Sequence, residues 1–397
     1  MASTSERVRI VSVDDHVVEP PHLWREWLPS SYRDRGPRVE TVPFERIPGT
    51  ASGKVVEGAP LTDVWMYEDL IKTTPRVLAA AGLSHEAITA DPMAFSEMRP
   101  GCYEPKARLA DMDLNDTEAS LCFPTFPRFC GQTFHEARDK DLAAACVHAY
   151  NDWMIEEWCG DSGGRLIPLS LIPLWDPPAA AAEVRRNAAR GCRAVAFSEL
   201  PPALGLPSIH DAAGYWTPFF EACNETSSVI CMHIGSSSAF TNSSPDAPPG
   251  VAVALTTINA QVAMTDWLLS GLLVRYPNIR LAFSESQIGW MPFLLERLDK
   301  IFHRGVAYSA VREALPNPPS SYIAGRVYGC FFDDDFGLAS HEYIGIDQIT
   351  FETDYPHQDS TWPNSARIVD GFASKLSEED LRKVLRDNAC TMLGLAQ

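Results

Sequence analysis

Three apolar stretches of the sequence run into residues able to hold a cation or move a proton. VRIVSV leads into Asp14-Asp15-His16, VICM into His233, and ITFET into Asp354. Asp14 and His16 are two apart, so on an extended strand both side chains leave the same face. Two imidazoles and two carboxylates brought together form an N2O2 set for one divalent metal, with room for water. Such a set suits Zn and tolerates Mn, Fe or Co. An Asp-x-His pair alone is frequent by chance, and the coincidence of three stretch ends carries more weight. Singly, each has an ordinary alternative: Asp14 and Asp15 as turn residues, His233 as a buried histidine bonded to backbone, Asp354 as an Asx turn before Tyr355-Pro356.

Other residues near the same ends are candidates of a different kind. Arg128, in FPTFPRF, could hold a substrate carboxylate by a bidentate pair, or be a surface loop arginine. His357 follows Asp354 closely enough to reach substrate or a ligand carboxylate, or is a turn histidine. Trp24, Trp65, Trp290 and Trp362 could wall a pocket for a planar substrate, or pack as core aromatics. Asp333-Asp334-Asp335 reads as a solvated turn, and Asp111 and Asp113 as helix surface.

The elements that must position these residues alternate. β-branched runs predict strands at 8–13, 118–123, 166–173, 194–197, 229–232, 279–283, 326–332 and 348–353. Amphipathic patterns predict helices at 139–159, 179–190, 254–276 and 290–304. A last helix is expected over 376–397, with Ser377 and Asp380 at capping-box spacing. Near-continuous apolar strands alternating with helices point to a parallel sheet, and eight such units close into a (β/α)8 TIM barrel whose chemistry sits at the C-terminal ends of the strands. Residues 17–106, rich in Pro, Gly and aromatics, show no strong periodicity and are expected to form a cap or lid inserted after the first strand. The whole chain, 1–397, then reads as a single barrel domain.

Composition removes several function classes. With 33 basic and 52 acidic residues the net charge is −19, which gives no electrostatic footprint for nucleic-acid phosphates or anionic lipid. No apolar run approaches the ~20 residues that cross a bilayer. The N-terminal residues lack the apolar stretch of a secretory signal. None of the ten cysteines forms a CxxC pair and several lie in apolar runs, as expected of reduced, buried thiols in a cytoplasmic protein.

The pieces SVDDHVVEPPHLW, MHIGSSS, GLLVRYPNIRLAFSESQIGWMPFLLERLD, FETDYPHQDSTWP and LRKVLRDNACTMLGL together resemble the amidohydrolase-related family, in the branch typified by aminocarboxymuconate-semialdehyde decarboxylase and resorcylate-type decarboxylases. The resemblance implies a (β/α)8 fold and a single catalytic metal on Asp14, His16, His233 and Asp354, with Asp354 also exchanging protons. Two departures stand out. Many members carry His-x-His or Glu-x-His where this chain has Asp-x-His. Many carry a catalytic His in an HGGG-like segment, where this chain reads Ser284-Glu285-Ser286-Gln287-Ile288-Gly289-Trp290. Glu285 is the nearest ionisable replacement, as general acid or base or as a residue orienting a ligand. The carboxylated Lys of two-metal relatives has no counterpart near Ser198-Glu199, although Glu199 itself could bridge a second ion.

The expected function is therefore a metal-dependent, non-oxidative decarboxylase of a small cyclic or unsaturated carboxylic acid, with catalytic residues Asp354, Glu285 and His357 and substrate contacts from Arg128 and Trp290. The alternative is a metal-dependent hydrolase of a C–N, C–O or C–C bond. A different class, a non-catalytic barrel used for binding or assembly, would leave the four-ligand set without a purpose. The chain is expected to be a homodimer.

Overall fold

The computed structural model describes residues 8–304 and 313–395, so the last two residues of the expected C-terminal helix lie outside the described residues. From the N-terminus the strands are β1 (Ile10–Val17), β2 (Arg38–Arg46), β3 (Gly53–Val55), β4 (Leu61–Tyr67), β5 (Leu70–Lys72), β6 (Thr117–Pro124), β7 (Leu166–Ile167), β8 (Leu169–Ser170), β9 (Ala194–Ala196), β10 (Val229–His233), β11 (Arg280–Ser284), β12 (Val327–Phe331) and β13 (Ile349–Phe351). Each of the eight expected strand positions carries a strand. Strand 166–173 is shorter than expected and split at Pro168, which has no N–H to give a ladder.

Two parallel sheets result, β1-β6-β7 and β13-β12-β11-β10-β9-β8. Their edges meet twice. On one side only Pro168 separates β7 from β8. On the other, Asp354 N–H donates to the Asp14 carbonyl at 3.0 Å and His16 N–H to the Tyr355 carbonyl at 2.6 Å. Every residue of β10 and β12 is buried, as expected of strands covered on both faces.

Residues between β1 and β6 are not irregular throughout. They hold a four-stranded antiparallel sheet, β3-β2-β4-β5, which the sequence reading did not anticipate. Residues of β2 are mostly half-buried, with only Phe44 fully covered, so no clean alternation of apolar and polar residues marks the strand. This sheet packs through Trp65 onto Trp24, ring centroids 5.3 Å apart, and onto Phe126 at 4.7 Å. Trp24 and Trp65 thus belong to the main core.

The expected helix 254–276 is divided into Pro249–Ala254, Ile258–Leu269 and Leu272–Arg275, the last preceded by Gly271 in the left-handed region. Ser377 does cap its helix, its hydroxyl accepting from Asp380 N–H at 3.1 Å. All ten cysteines are free and buried. No helix among the described residues is long and apolar enough to cross a membrane.

Helices Lys140–Trp153 and Pro177–Ala188 are joined by Glu183, which accepts from His148 Nδ1 at 2.8 Å, Asn151 Nδ2 at 2.9 Å and Arg186 Nη2 at 2.8 Å. Burial opposes ionisation of this carboxylate. The bonds from His148, Arg186 and Asn151 outweigh burial and hold its pKa at about 2. A carboxylate depressed on folding contributes stability above its unfolded pKa of about 4.3 and loses it as pH falls through the folded value. Glu183→Gln is expected to lower urea-unfolding stability by about 1–3 kcal/mol at pH 7, with the difference from the parent shrinking between about pH 4 and pH 2. A difference constant over that range would contradict the assignment.

Candidate metal centre

β1 continues to Val17, so Asp14 and His16 lie within the strand and not beyond its end as the sequence reading placed them. Its two faces have separate tasks. Asp15 faces the sheet junction and accepts from Ser12 Oγ at 3.1 Å, Thr353 Oγ1 at 2.6 Å and Tyr355 N–H at 3.0 Å, and also from Ser120 Oγ. It fastens β1 to β6 and to the segment after β13. Asp14 and His16 face the other way, into a fully buried cluster.

There His16 Nε2 lies 3.2 Å from His233 Nε2, 3.2 Å from Asp354 Oδ1 and 3.7 Å from Asp14 Oδ1. His233 Nε2 lies 3.3 Å from Asp14 Oδ2 and 3.2 Å from Glu285 Oε2. The Ile234 carbonyl, 2.6 Å from His233 Nδ1, can only accept, so Nδ1 carries the proton and Nε2 presents a bare lone pair. Burial lowers the His233 pKa to about 3, which keeps the ring neutral. Burial likewise lowers His16, aided by His357, His233 and Arg108, and His357, aided by His233 and Arg108.

The carboxylates shift the opposite way. Burial first, then Glu352, Asp354 and Glu285, push Asp14 well above its ordinary range. Asp354 is raised by burial, then by Glu285 and Glu352, and Glu285 by burial, then by Glu352. Among the described residues both oxygens of Asp14, both of Asp354 and His16 Nδ1 have no hydrogen-bond partner. Buried anionic oxygens left unpaired cost several kcal/mol each. Ring nitrogens and carboxylate oxygens face one another across 3.2–3.7 Å in this cluster. Donor atoms about 2.0–2.2 Å from one ion sit about 3 to 3.5 Å from each other, a spacing that Asp14, His16 and His233 match most nearly, with Asp354 reaching the group through His16. Asp14, His16 and His233 form one candidate ligand group, and His16, Asp354 and His357 an overlapping second.

The structure brings the remaining sequence candidates together unevenly. The His357 ring stacks on His16, centroids 3.5 Å apart, with Nδ1 3.4 Å from Asp354 Oδ1. Glu285 sits beside His233 on a backbone with φ 54°. Trp290 donates its indole N–H to the Ser286 carbonyl at 2.8 Å, a bond that braces the Ser284–Gly289 turn. Arg128 pairs with Glu136 in the loop after β6, where Phe129 stacks on His233 at 4.1 Å. Glu199 is occupied away from the cluster, accepting from Gly235 N–H at 3.1 Å and Ser237 Oγ at 2.9 Å. Through Oε1 it pins the loop after β10, and its Oε2 is buried without a partner among the described residues.

Two sequence readings are corrected. Asp111 is not helix surface. It is buried, accepts a bidentate pair from Arg99 at 2.7 and 2.6 Å, and accepts the Tyr355 hydroxyl at 2.6 Å. Asp113 is exposed, as expected. Asp334 is not a free solvated acid. It accepts from the N–H groups of Ile288 at 2.8 Å, Gly289 at 2.6 Å and Gly337 at 2.7 Å, which holds the turn carrying Glu285.

Sequence reasoning also passed over Glu352 and Arg108. Glu352 is fully buried, accepts from Glu285 N–H at 3.1 Å and from the Cys330 thiol, and is raised by burial to about 7. It lies two residues before Asp354, in the segment that follows β13. Arg108 donates to the His16 carbonyl at 2.5 Å and to Gly101 O at 2.7 Å, with its guanidinium 4.2 Å from the Tyr355 ring centroid. It fixes the backbone on both sides of the cluster, and only the fold brings it there.

A family model described as amidohydrolase matches residues 22–395. No curated relative matches the chain. Among solved structures, an amidohydrolase from Mycobacterium avium subsp. paratuberculosis K-10 is 22% identical, with a TM-score of 0.70 over 99% of each chain. The 5-carboxyvanillate decarboxylase of Novosphingobium aromaticivorans, complexed with manganese and 4-hydroxy-3-methoxy-5-nitrobenzoic acid, is 17% identical, with a TM-score of 0.65 over 100% of this chain and 98% of that one. A 2,6-dihydroxybenzoate decarboxylase from Rhizobium is 15% identical, with a TM-score of 0.59 over 98% of this chain and 99% of the other.

Proposed function

The chain belongs to the amidohydrolase family, and we propose that within it the protein is a metal-dependent, non-oxidative decarboxylase of a small cyclic or unsaturated carboxylic acid. The observation that carries this reading is the pair of buried ligand groups that share His16, Asp14 with His16 and His233, and His16 with Asp354 and His357. The two parallel sheets, joined at both edges, support closure into a (β/α)8 barrel with this set at the C-terminal strand ends and residues 17–106 as a cap. Likeness to two aromatic-acid decarboxylases supports the reaction class.

Asp14, His16, His233 and Asp354 would hold one divalent ion, zinc or manganese by donor type. When bound it would supply a Lewis-acidic centre for carboxylate or hydroxyl oxygens and stabilise developing negative charge. The reaction breaks the bond between the carboxyl carbon and its neighbour. The electron pair stays on that neighbour, carbon dioxide leaves, and a proton must arrive at the vacated carbon. Asp354 is placed to deliver it from a carboxyl oxygen, with its proton affinity raised by burial and by Glu285 and Glu352. His357, stacked on His16 and 3.4 Å from Asp354, orients that carboxyl. Glu285, beside His233, stands where a second proton-handling group is needed.

The test is a screen of hydroxybenzoates and unsaturated cyclic acids with metal-loaded protein, following carbon dioxide release and solvent deuterium entering the product. Carbon dioxide release with one deuterium at the vacated carbon is the expected result. Ring opening or ester or amide cleavage without carbon dioxide would overturn it in favour of a hydrolase.

A further inference from the structure

The loop after β6 carries two buried donors without a partner among the described residues, and a third donor, the Lys72 ammonium, reaches the ring of Phe126 in the same loop. Among the described residues, the Thr125 hydroxyl and Arg128 Nε are buried without a partner. Among the described residues no ion pair or hydrogen bond reaches the ammonium of Lys72, which lies 6.0 Å from the Phe126 ring centroid. Lys72 does not come from the loop. It comes from β5, the edge strand of the antiparallel sheet, and is half-buried against it.

The acids around it are engaged elsewhere. Glu19 accepts from the backbone N–H of Thr125 at 3.0 Å and Phe126 at 2.7 Å, which holds the loop open-handed towards Lys72. Glu136 takes a terminal nitrogen of Arg128 and leaves its Nε free. The same loop ends in Phe129, whose ring stacks on His233 of the metal centre. Thr125 and Arg128 therefore stand on the segment whose Phe129 packs against that centre.

We propose that Lys72, the Thr125 hydroxyl and Arg128 Nε form an anion subsite that takes a carboxylate of the substrate, with the antiparallel sheet supplying the cation. Ammonium, hydroxyl and guanidinium N–H are all donors, and a carboxylate offers enough lone pairs to accept from each. Burial and the neighbouring Arg128 hold Lys72 down to about 8, against the pull of Glu19 and Glu136. A bound anion would relieve that cost. The inference rests on an acidic substrate, but its test does not need the metal.

The probe is benzoate, with neutral benzamide as its control, titrated calorimetrically into chelator-treated full-length protein. Benzoate should bind and benzamide should not. Lys72→Met should weaken benzoate at least about tenfold, while Lys72→Arg stays within about threefold. In the parent, benzoate affinity should fall as pH rises past about 8 and the ammonium loses its charge. Glu19, raised by burial to about 7, would lower affinity in both proteins as it ionises, so with Lys72→Arg only the further fall above pH 8 should disappear. Equal binding of benzoate and benzamide, an unchanged Lys72→Met, or a parent profile without that further fall would each overturn the subsite. Because the metal is absent throughout, failure here is distinct from failure of the decarboxylase reading.

Discussion

Asp354→Asn is expected to leave a folded protein that still loads metal but turns over about a thousandfold more slowly. The amide keeps an oxygen able to ligate, so the cluster loses a proton carrier before it loses a ligand. Asp354 also organises its surroundings through the backbone, with its N–H on the Asp14 carbonyl, and that bond survives the substitution. The effect should therefore fall on kcat with little change in KM, and solvent deuterium incorporation should slow in step. A variant within a few-fold of the parent rate would assign the proton to Glu285 or His357.

Removing the metal with a chelator should lower the melting temperature by about 5 °C. A ligand present at a thousand times its Kd stabilises the folded state by about 4 kcal/mol, and a chain of this length unfolds with an entropy near 0.8 kcal/mol per degree. The cause is local: Asp14 and Asp354 each keep two buried oxygens with no protein donor. Reloading should restore the transition, and His16→Ala should abolish the difference between loaded and stripped protein. Identical melting curves for the two forms of the parent would argue against a buried cation.

Much of this was legible in the sequence because it depended on short-range pattern. The eight parallel-strand positions followed from apolar runs, and Asp14 with His16 followed from the two-residue period of an extended chain. Glu352 was harder to read, because the strand stops at Phe351 and Asp354 takes a left-handed backbone, so no strand period relates the two acids. The antiparallel sheet at residues 38–72 was hidden because its strands are half-exposed and lack a consistent apolar face. Asp111 and Asp334 were misread for a different reason. Their partners, Tyr355 and the N–H groups of Ile288 and Gly289, are distant in sequence, so only the folded chain reveals that these acids are structural. Arg108, which reaches the His16 carbonyl across 92 positions, belongs with them.

Metal content per chain reports on the cluster of Asp14, His16, His233 and Asp354 without any substrate. It would be measured by plasma mass spectrometry on protein purified without chelator or histidine tag, beside an Asp14→Ala/His233→Ala double variant. The account expects about one zinc or manganese per parent chain and loss of it in the variant. A parent that takes up no divalent metal even after reloading, or a double variant that retains it, would contradict the account.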